Sequence, residues 1–213
     1  SPNRAENVDK VAITTGIAPL ANLKYEAQLT FKQRQVEQLF KKVNVSVEVN
    51  PTIGMTDPTK YRNKAQVPVQ MVNGQLETGF YRRGSHKLMP VEDFYIQDPK
   101  VDEAVSVTRD VLRDLGISAY DEETHKGVVR HIMARRGFYS HELMVVIITN
   151  TKKLPEADNI AAALRAKLPE LKSFIHNINN HDTNVIMGQW NETVWGADEI
   201  HDQLMGKEIG RAS

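Results

Sequence analysis

Hydrophobic and polar positions change period several times along the chain, and each change marks an element. From Leu23 apolar residues recur at helical spacing. Leu23, Tyr25, Leu29, Val36, Leu39 and Phe40 form a stripe among lysines, glutamines and glutamates, which predicts a helix over 23–43. Residues 1–22 carry Pro2, Gly16 and Pro19 without a sustained period and read as an irregular leader. "VSVEVNP" (45–51) alternates and predicts a short strand. Residues 51–60, with two prolines and a glycine, suit a linker or domain boundary.

A period of two follows. Ala65, Val67, Val69 and Met71 fall on one face of a strand, with Arg62, Lys64, Gln66 and Gln70 on the other. Asn73-Gly74 predicts a two-residue type I′ turn, whose central residues both need positive φ. That turn pairs Val72 with Gln75, Met71 with Leu76, Val69 with Thr78 and Val67 with Phe80. Pro68 has no N–H for a ladder, so the strand is expected at an edge or with a bulge.

"HKLMPVEDF" predicts a third strand, and 98–116 a helix with an Asp-Pro start and a terminal glycine. "GVVRHIMARRG" and "HELMVVIITN" read as two strands joined around Gly137. A helix lies between Pro155 and Pro169, and "LKSFIHNINN", "TNVIMG" and "ETVWGADEIHDQLMG" read as short strands with turns. Helices and hairpins mix without strict βαβ repetition. The fold class is therefore α+β, a mostly antiparallel sheet with packed helices.

Composition narrows the chemistry. The 213 residues are 40% hydrophobic and 25% charged, an ordinary globular balance able to bury a core. Without cysteine there is no disulfide, thiolate nucleophile, iron–sulfur cluster or cysteine-ligated zinc. The opening "SPNRAENVDK" has no apolar signal-peptide region, and "LMVVIIT" falls far short of the ~18 apolar residues that suggest a membrane span. A soluble protein is expected, and lack of cysteine suits the cytoplasm. No Walker loop, GxGxxG or GxSxG occurs.

Charge changes the picture locally. Lysine plus arginine equals aspartate plus glutamate, 27 each, yet Lys60 to Lys87 hold six basic residues and one acidic residue, Glu77. The hairpin register sets Lys64 opposite Arg83, with Arg62 near Ser85 and Gln66 near Tyr81. Like charges directly opposite destabilise a strand pair, so an anion is one reading of the face. Arg62, Lys64, Gln66, Tyr81 and Arg83, with Arg82, His86 and Lys87 at the end, suit phosphate contacts and a base contact. A solvated face that keeps an edge strand from aggregating is the other. Arg130, His131, Arg135 and Arg136 form a second basic group.

Other candidates are plainer. His176 and His181 with Asp182 lack a third metal ligand, and Asp121, Glu122 and Glu123 read as a solvated run. Trp190 and Trp195 suit sheet or interface packing better than base stacking.

"LANLKYEAQLTFKQRQVEQLF", "YRNKAQVPV", "GQLETGFYRRGSHKLMPVEDFYIQDP", "RRGFYSHELMVVIIT" and "NINNHDTNVIMG" together resemble the S-adenosylmethionine-dependent RNA 5-methyluridine methyltransferases of the TrmA/RumA type. RlmCD-like ribosomal RNA enzymes of Gram-positive bacteria are the most similar group. The resemblance runs from about residue 1 to about residue 206 in the family's order. It implies a leader and helix over 1–50, a central RNA-recognition α/β domain over 51–206, and an atypical tail over 207–213.

In that family the S-adenosylmethionine loop, catalytic cysteine and general-base glutamate lie C-terminal to such a segment. The resemblance therefore implies a fragment without a catalytic residue of its own, partnered by the methyltransferase domain of its parent chain. Many members also hold an iron–sulfur cluster. Here Thr15, Ala18 and Phe94 stand where its cysteines would be, so no cluster is expected. Arg62 and Lys64 match the family's basic Tyr-Arg-x-Arg/Lys-Ala motif and lead the RNA-binding candidates. Arg82, Arg83, His86, Lys87, Arg135 and Arg136 follow. The expected partner is ribosomal RNA, with no membrane; a stand-alone RNA-binding or scaffold module is the alternative.

Overall fold

A computed structural model describes residues 2–6, 8–182 and 185–210. The chain forms two compact units, one of Ser1–Thr59 with Arg82–Ser85 and the other of Lys60–Tyr81 with His86–Ser213.

The first unit is helical. The leader holds a short helix, α1 (Lys10–Thr15), contrary to the irregular segment expected. The Asp9 side chain accepts from the N–H groups of Val11 and Ala12 at 2.8 and 3.1 Å, and Gly16 closes the helix in the left-handed region with φ 76°. Capping, rather than a repeating apolar period, makes this helix, and six residues are too few to show one.

The predicted long helix is α2 (Tyr25–Lys42). None of its residues is fully buried, and Leu39 remains 64% exposed. The alternating 45–51 segment is not a strand, because it finds no strand to pair with. The segment that follows α2 is tied back to it by side chains. The Met55 N–H donates to Tyr25 Oη at 2.7 Å, and Thr52 Oγ1 donates to the Leu29 carbonyl at 3.2 Å.

The second unit is built on nine strands: β1 (Lys64–Val72), β2 (Gln75–Tyr81), β3 (Leu88–Pro90), β4 (Val129–Arg136), β5 (Leu143–Thr149), β6 (Leu171–Ile178), β7 (Trp190–Gly196), β8 (His201–Leu204) and β9 (Lys207–Gly210). Seven of them form one sheet in the order β3-β2-β1-β4-β5-β6-β7, and β8 pairs with β9. All neighbours are antiparallel except β5 and β6. That parallel pair is joined through α4 (Ala157–Lys167), the crossover such a pair requires. "TNVIMG" adds no strand over its described residues 185–188; Thr183 and Asn184 lie outside them. The last residues, read as an atypical tail, supply β9 as far as Gly210.

The expected hairpin forms with Val72↔Gln75, Met71↔Leu76 and Val69↔Thr78 in register. Asn73 and Gly74 have φ of 52° and 84°, as the turn demands. Beyond Val69 the ladder stops at Pro68, which has no N–H to continue it. The expected Val67–Phe80 pair does not form: Phe80 pairs with Met89 of β3, and Val67 pairs with Ile132 of β4 on the other edge of β1. β1 is an interior strand, and Pro68 sits at a break in its pairing rather than at an edge.

Alternation along the strands divides the sheet. Ala65, Val67, Val69, Ile132, Ala134, Val145 and Phe174 pack with Val101, Val105 and Leu112 of α3 (Pro99–Asp114) and with Ile160 and Leu164 of α4. The helix α3 begins as expected, with Asp98 Oδ1 accepting from the Lys100 N–H at 2.7 Å and proline in its first turn. The other sheet face holds a smaller apolar cluster of Met133, Met144, Val146, Ile148, Ile175 and Ile200. Lys64, Gln66 and Arg135 share that face by strand alternation.

Candidate nucleic-acid interface

The two outer ends of β1 and β4 meet at Lys64↔Arg135. Like charges do stand opposite each other, but the partner of Lys64 is Arg135, not Arg83. Arg62 lies two residues before Lys64, outside β1, in an isolated parallel bridge with Gln97. Its backbone is fixed, with its N–H donating to the Ile96 carbonyl at 2.8 Å and its carbonyl accepting from Asp98 at 2.9 Å. Its guanidinium Nε donates to the Lys64 carbonyl at 3.2 Å.

Among the described residues no carboxylate forms an ion pair with Arg62, Lys64 or Arg135. Burial, then Arg135 and Arg62, push the Lys64 ammonium below its ordinary pKa. Burial also lowers that of Arg135. Lys64 thus feels two guanidinium charges, and no acid among the described residues forms an ion pair with any of the three.

The remaining basic candidates divide. Arg136 points away from this group, its Nε on Glu170 Oε2 at 2.7 Å and its Nη1 on Asp98 Oδ2 at 3.2 Å. Arg130 is buried and donates to the carbonyls of Asn179 and His181 at 2.8 and 2.7 Å, with its guanidinium 4.8 Å from the centre of the Tyr120 ring. The buried Nδ1 of His131 has no hydrogen-bond partner among the described residues, and burial followed by the Arg130 charge lowers its pKa to about 4.

His86 and Lys87 are exposed. The His86 ring stacks on Tyr81 with 5.2 Å between centroids, and its Nδ1 lies 2.6 Å from Glu122 Oε2. Glu122, expected to be a solvated carboxylate, is therefore a partner of that pair. Burial first, then the Glu122 charge, raise the Tyr81 pKa to about 12. Arg82 and Arg83 belong to the first unit, in a turn where Ser85 Oγ donates to the Arg82 carbonyl at 3.2 Å and the Arg83 N–H donates to the Thr14 carbonyl at 3.0 Å.

Other sequence candidates fill packing roles. His176 is buried, with Nε2 2.7 Å from Thr149 Oγ1, and among the described residues no group of three His, Asp or Glu is placed to hold a metal ion. Phe94 is buried 5.3 Å from the Phe80 ring. Trp195 packs under the Arg165 guanidinium at 4.6 Å, whereas Trp190 is 75% exposed. A cavity of about 480 Å³ opens on the face opposite α3 and α4, floored by Met144, Val146 and Ile175 and rimmed by Asn191, Asp198 and Glu199.

Sequence reasoning passed over one feature, the exposed aromatic pair Phe138–Tyr139 in the β4–β5 turn. Its only sign was two adjacent aromatics where a turn was expected. No described helix is long and apolar enough to cross a membrane.

No protein-family model matches the chain. Individual relatives do. A protein of Lactiplantibacillus plantarum named as an uncharacterised RNA methyltransferase is 56% identical over 207 residues, which are 97% of this chain and 45% of that protein. Similarly named proteins of Streptococcus pyogenes and Streptococcus agalactiae are 48% and 46% identical over 97% of this chain, covering 45% and 46% of their own lengths.

Among solved structures, the tRNA (uracil-54, C5)-methyltransferase of Pyrococcus abyssi, in complex with S-adenosyl-L-homocysteine, matches with a TM-score of 0.70 at 20% identity. That match covers 99% of this chain and 46% of the other, and it bears on the fold. The mixed sheet matches the fold of that enzyme, and the sequence matches proteins named as RNA methyltransferases. The chain belongs to the family of these RNA methyltransferases, and it spans about half the length of the curated relatives it matches.

Proposed function

We propose that this chain is the RNA-recognition portion of an S-adenosylmethionine-dependent ribosomal RNA uracil-5 methyltransferase, acting in the cytoplasm with a methyltransferase domain. The observation that carries the reading is the uncompensated group Arg62, Lys64 and Arg135, built by direct cross-strand pairing of two cations. A polyanion neutralises such a group and adds salt-dependent affinity through release of its counterions. Arg82, Arg83, His86 and Lys87 are further phosphate-binding candidates. Arg136, held by Asp98 and Glu170, positions the end of β4 next to Arg135.

The work assigned to this chain is to hold a folded RNA so that the target uridine can leave its stack and reach the catalytic domain. With no cysteine, the chain carries no thiolate for attack on uridine C6; that chemistry and the S-adenosylmethionine site fall to the methyltransferase domain.

The test is binding of a ribosomal RNA fragment by the wild-type chain and by Arg62→Ala/Lys64→Ala/Arg135→Ala at two salt concentrations. The triple variant should lose about tenfold or more in affinity and flatten the salt dependence by about two counterions. Equal affinity and equal salt dependence in the two proteins would refute the assignment.

A further inference from the structure

The turn that continues β4 past Arg135 and Arg136 exposes two large rings. Phe138 and Tyr139 are 64% and 63% exposed and meet edge to face, with centroids 4.9 Å apart and ring planes at 80°. The backbone beneath them is tightly fixed. The Asp202 carboxylate accepts from three consecutive N–H groups, those of Phe138 at 2.7 Å, Tyr139 at 2.9 Å and Ser140 at 3.3 Å. Ser140 Oγ donates to the His201 carbonyl at 2.6 Å, and the His201 N–H donates to Glu142 Oε2 at 2.8 Å. A Cβ at Gly137 would sit 2.1 Å from Ser140 Oγ, so a side chain there would displace the hydroxyl that bonds the His201 carbonyl. The β8–β9 hairpin thus clamps the turn, which holds its aromatic faces towards water.

We propose that Phe138 and Tyr139 form a stacking platform for an unpaired base of the RNA whose phosphates rest on Arg62, Lys64 and Arg135. The inference rests on the RNA-binding reading above and adds a base contact to it. Three points carry it. First, aromatic faces take any base, because every base has a π face, and they lose little side-chain entropy in doing so. Second, the platform is preorganised, so a base need not order the loop. Third, the three-residue step from Arg135 to Phe138 spans at most about 10 Å, which keeps the rings within reach of a base whose backbone lies on the cations. The uncompensated cations favour a polyanion over an apolar protein surface as the occupant.

The experiment uses a short single-stranded RNA with 2-aminopurine at one position, and the same strand made abasic there. Wild type, Phe138→Ala/Tyr139→Ala and Phe138→Trp/Tyr139→Trp are titrated at two salt concentrations. The alanine pair should bind the aminopurine strand about tenfold more weakly, lose the fluorescence quenching, and keep the wild-type salt dependence. The tryptophan pair should retain both affinity and quenching, and the abasic strand should not distinguish the three proteins. If wild type binds with salt dependence but the alanine pair binds and quenches equally, the platform is overturned and the phosphate-binding reading stands. If wild type shows no salt-dependent binding, both fall. If the alanine pair loses a protein partner while its RNA binding is unchanged, the surface is a protein-docking site and the proposal is wrong.

Discussion

Two groups of cations in the second unit are treated in opposite ways. On the helix side, Arg109 has a side chain only 5% exposed, yet its Nη1 lies 2.9 Å from Glu92, its Nε lies 2.9 Å from Asp110, and Glu77 stands 3.9 Å away. Arg113 meets Glu77 at 2.6 Å and Asp110 at 3.1 Å. At the β1–β4 end, Lys64 and Arg135 are set against each other with no acid among the described residues. Around Arg109 and Arg113 the fold supplies carboxylates. Where it withholds them, local stability is lower than it could be, a conflict expected at a working surface.

The comparison can be broken most forcefully from the compensated side. Arg109→Ala should cost about 3 kcal/mol, chiefly because it opens the packing under α3, since Arg113 still holds Glu77 and Asp110 and only the exposed Glu92 loses its cation. Denaturant unfolding measures the loss. RNA affinity should be unchanged, and a parallel loss of affinity would merge the two groups into one.

His131 sharpens the comparison, since it is kept neutral by burial and by Arg130. Its folded pKa of about 4 lies below the ordinary value of 6.5, so between those values the unfolded chain takes up a proton that the folded chain refuses. The stability it contributes is complete above about pH 6.5 and is lost as pH falls towards 4, by about 3 kcal/mol. His176, also lowered by burial, acts in the same sense, while Asp102, raised by burial, opposes them. Replacing His131 with glutamine should flatten that part of the stability–pH curve; an unchanged slope would show that the ring does not resist protonation.

The smallest expected effect has the opposite sign. Lys64→Gln should raise stability by about 0.5 kcal/mol by relieving the like-charge pair, while weakening RNA binding. Thermal unfolding and RNA titration of the same sample measure both. A loss of stability would mean that some acid already balances Lys64.

What could be read from the sequence was local. Asn73-Gly74 and the alternation around it set the hairpin register, because positive φ at both turn residues and a period of two are each specified within a few residues. Asp98-Pro99 marked the start of α3 for the same reason. Illegible features were distant ones. The true partner of Lys64 lies in β4, across α3, and nothing near Lys64 in the chain names it. The ion pairs of Arg136 join residues 38 and 34 positions away, so an engaged arginine looked like a free one. The aromatic turn depends on Asp202, which is 64 positions from Phe138. For the same reason, of the second basic group only Arg135 stands with Arg62 and Lys64.

The strand β5, buried at all seven of its residues, also bears on how the molecule is made. "LMVVIIT" carries no charge, proline or glycine, the composition that zips into cross-β aggregates when left uncovered. β4 precedes it on the chain and can shield one edge at once, but β6 is synthesised only after α4. During synthesis the second edge therefore waits, bare, for about twenty residues, or about one to four seconds at ordinary translation rates. Glu142 just upstream and Lys152 and Lys153 just downstream are the flanking charges that can keep one nascent chain from pairing with another in that interval.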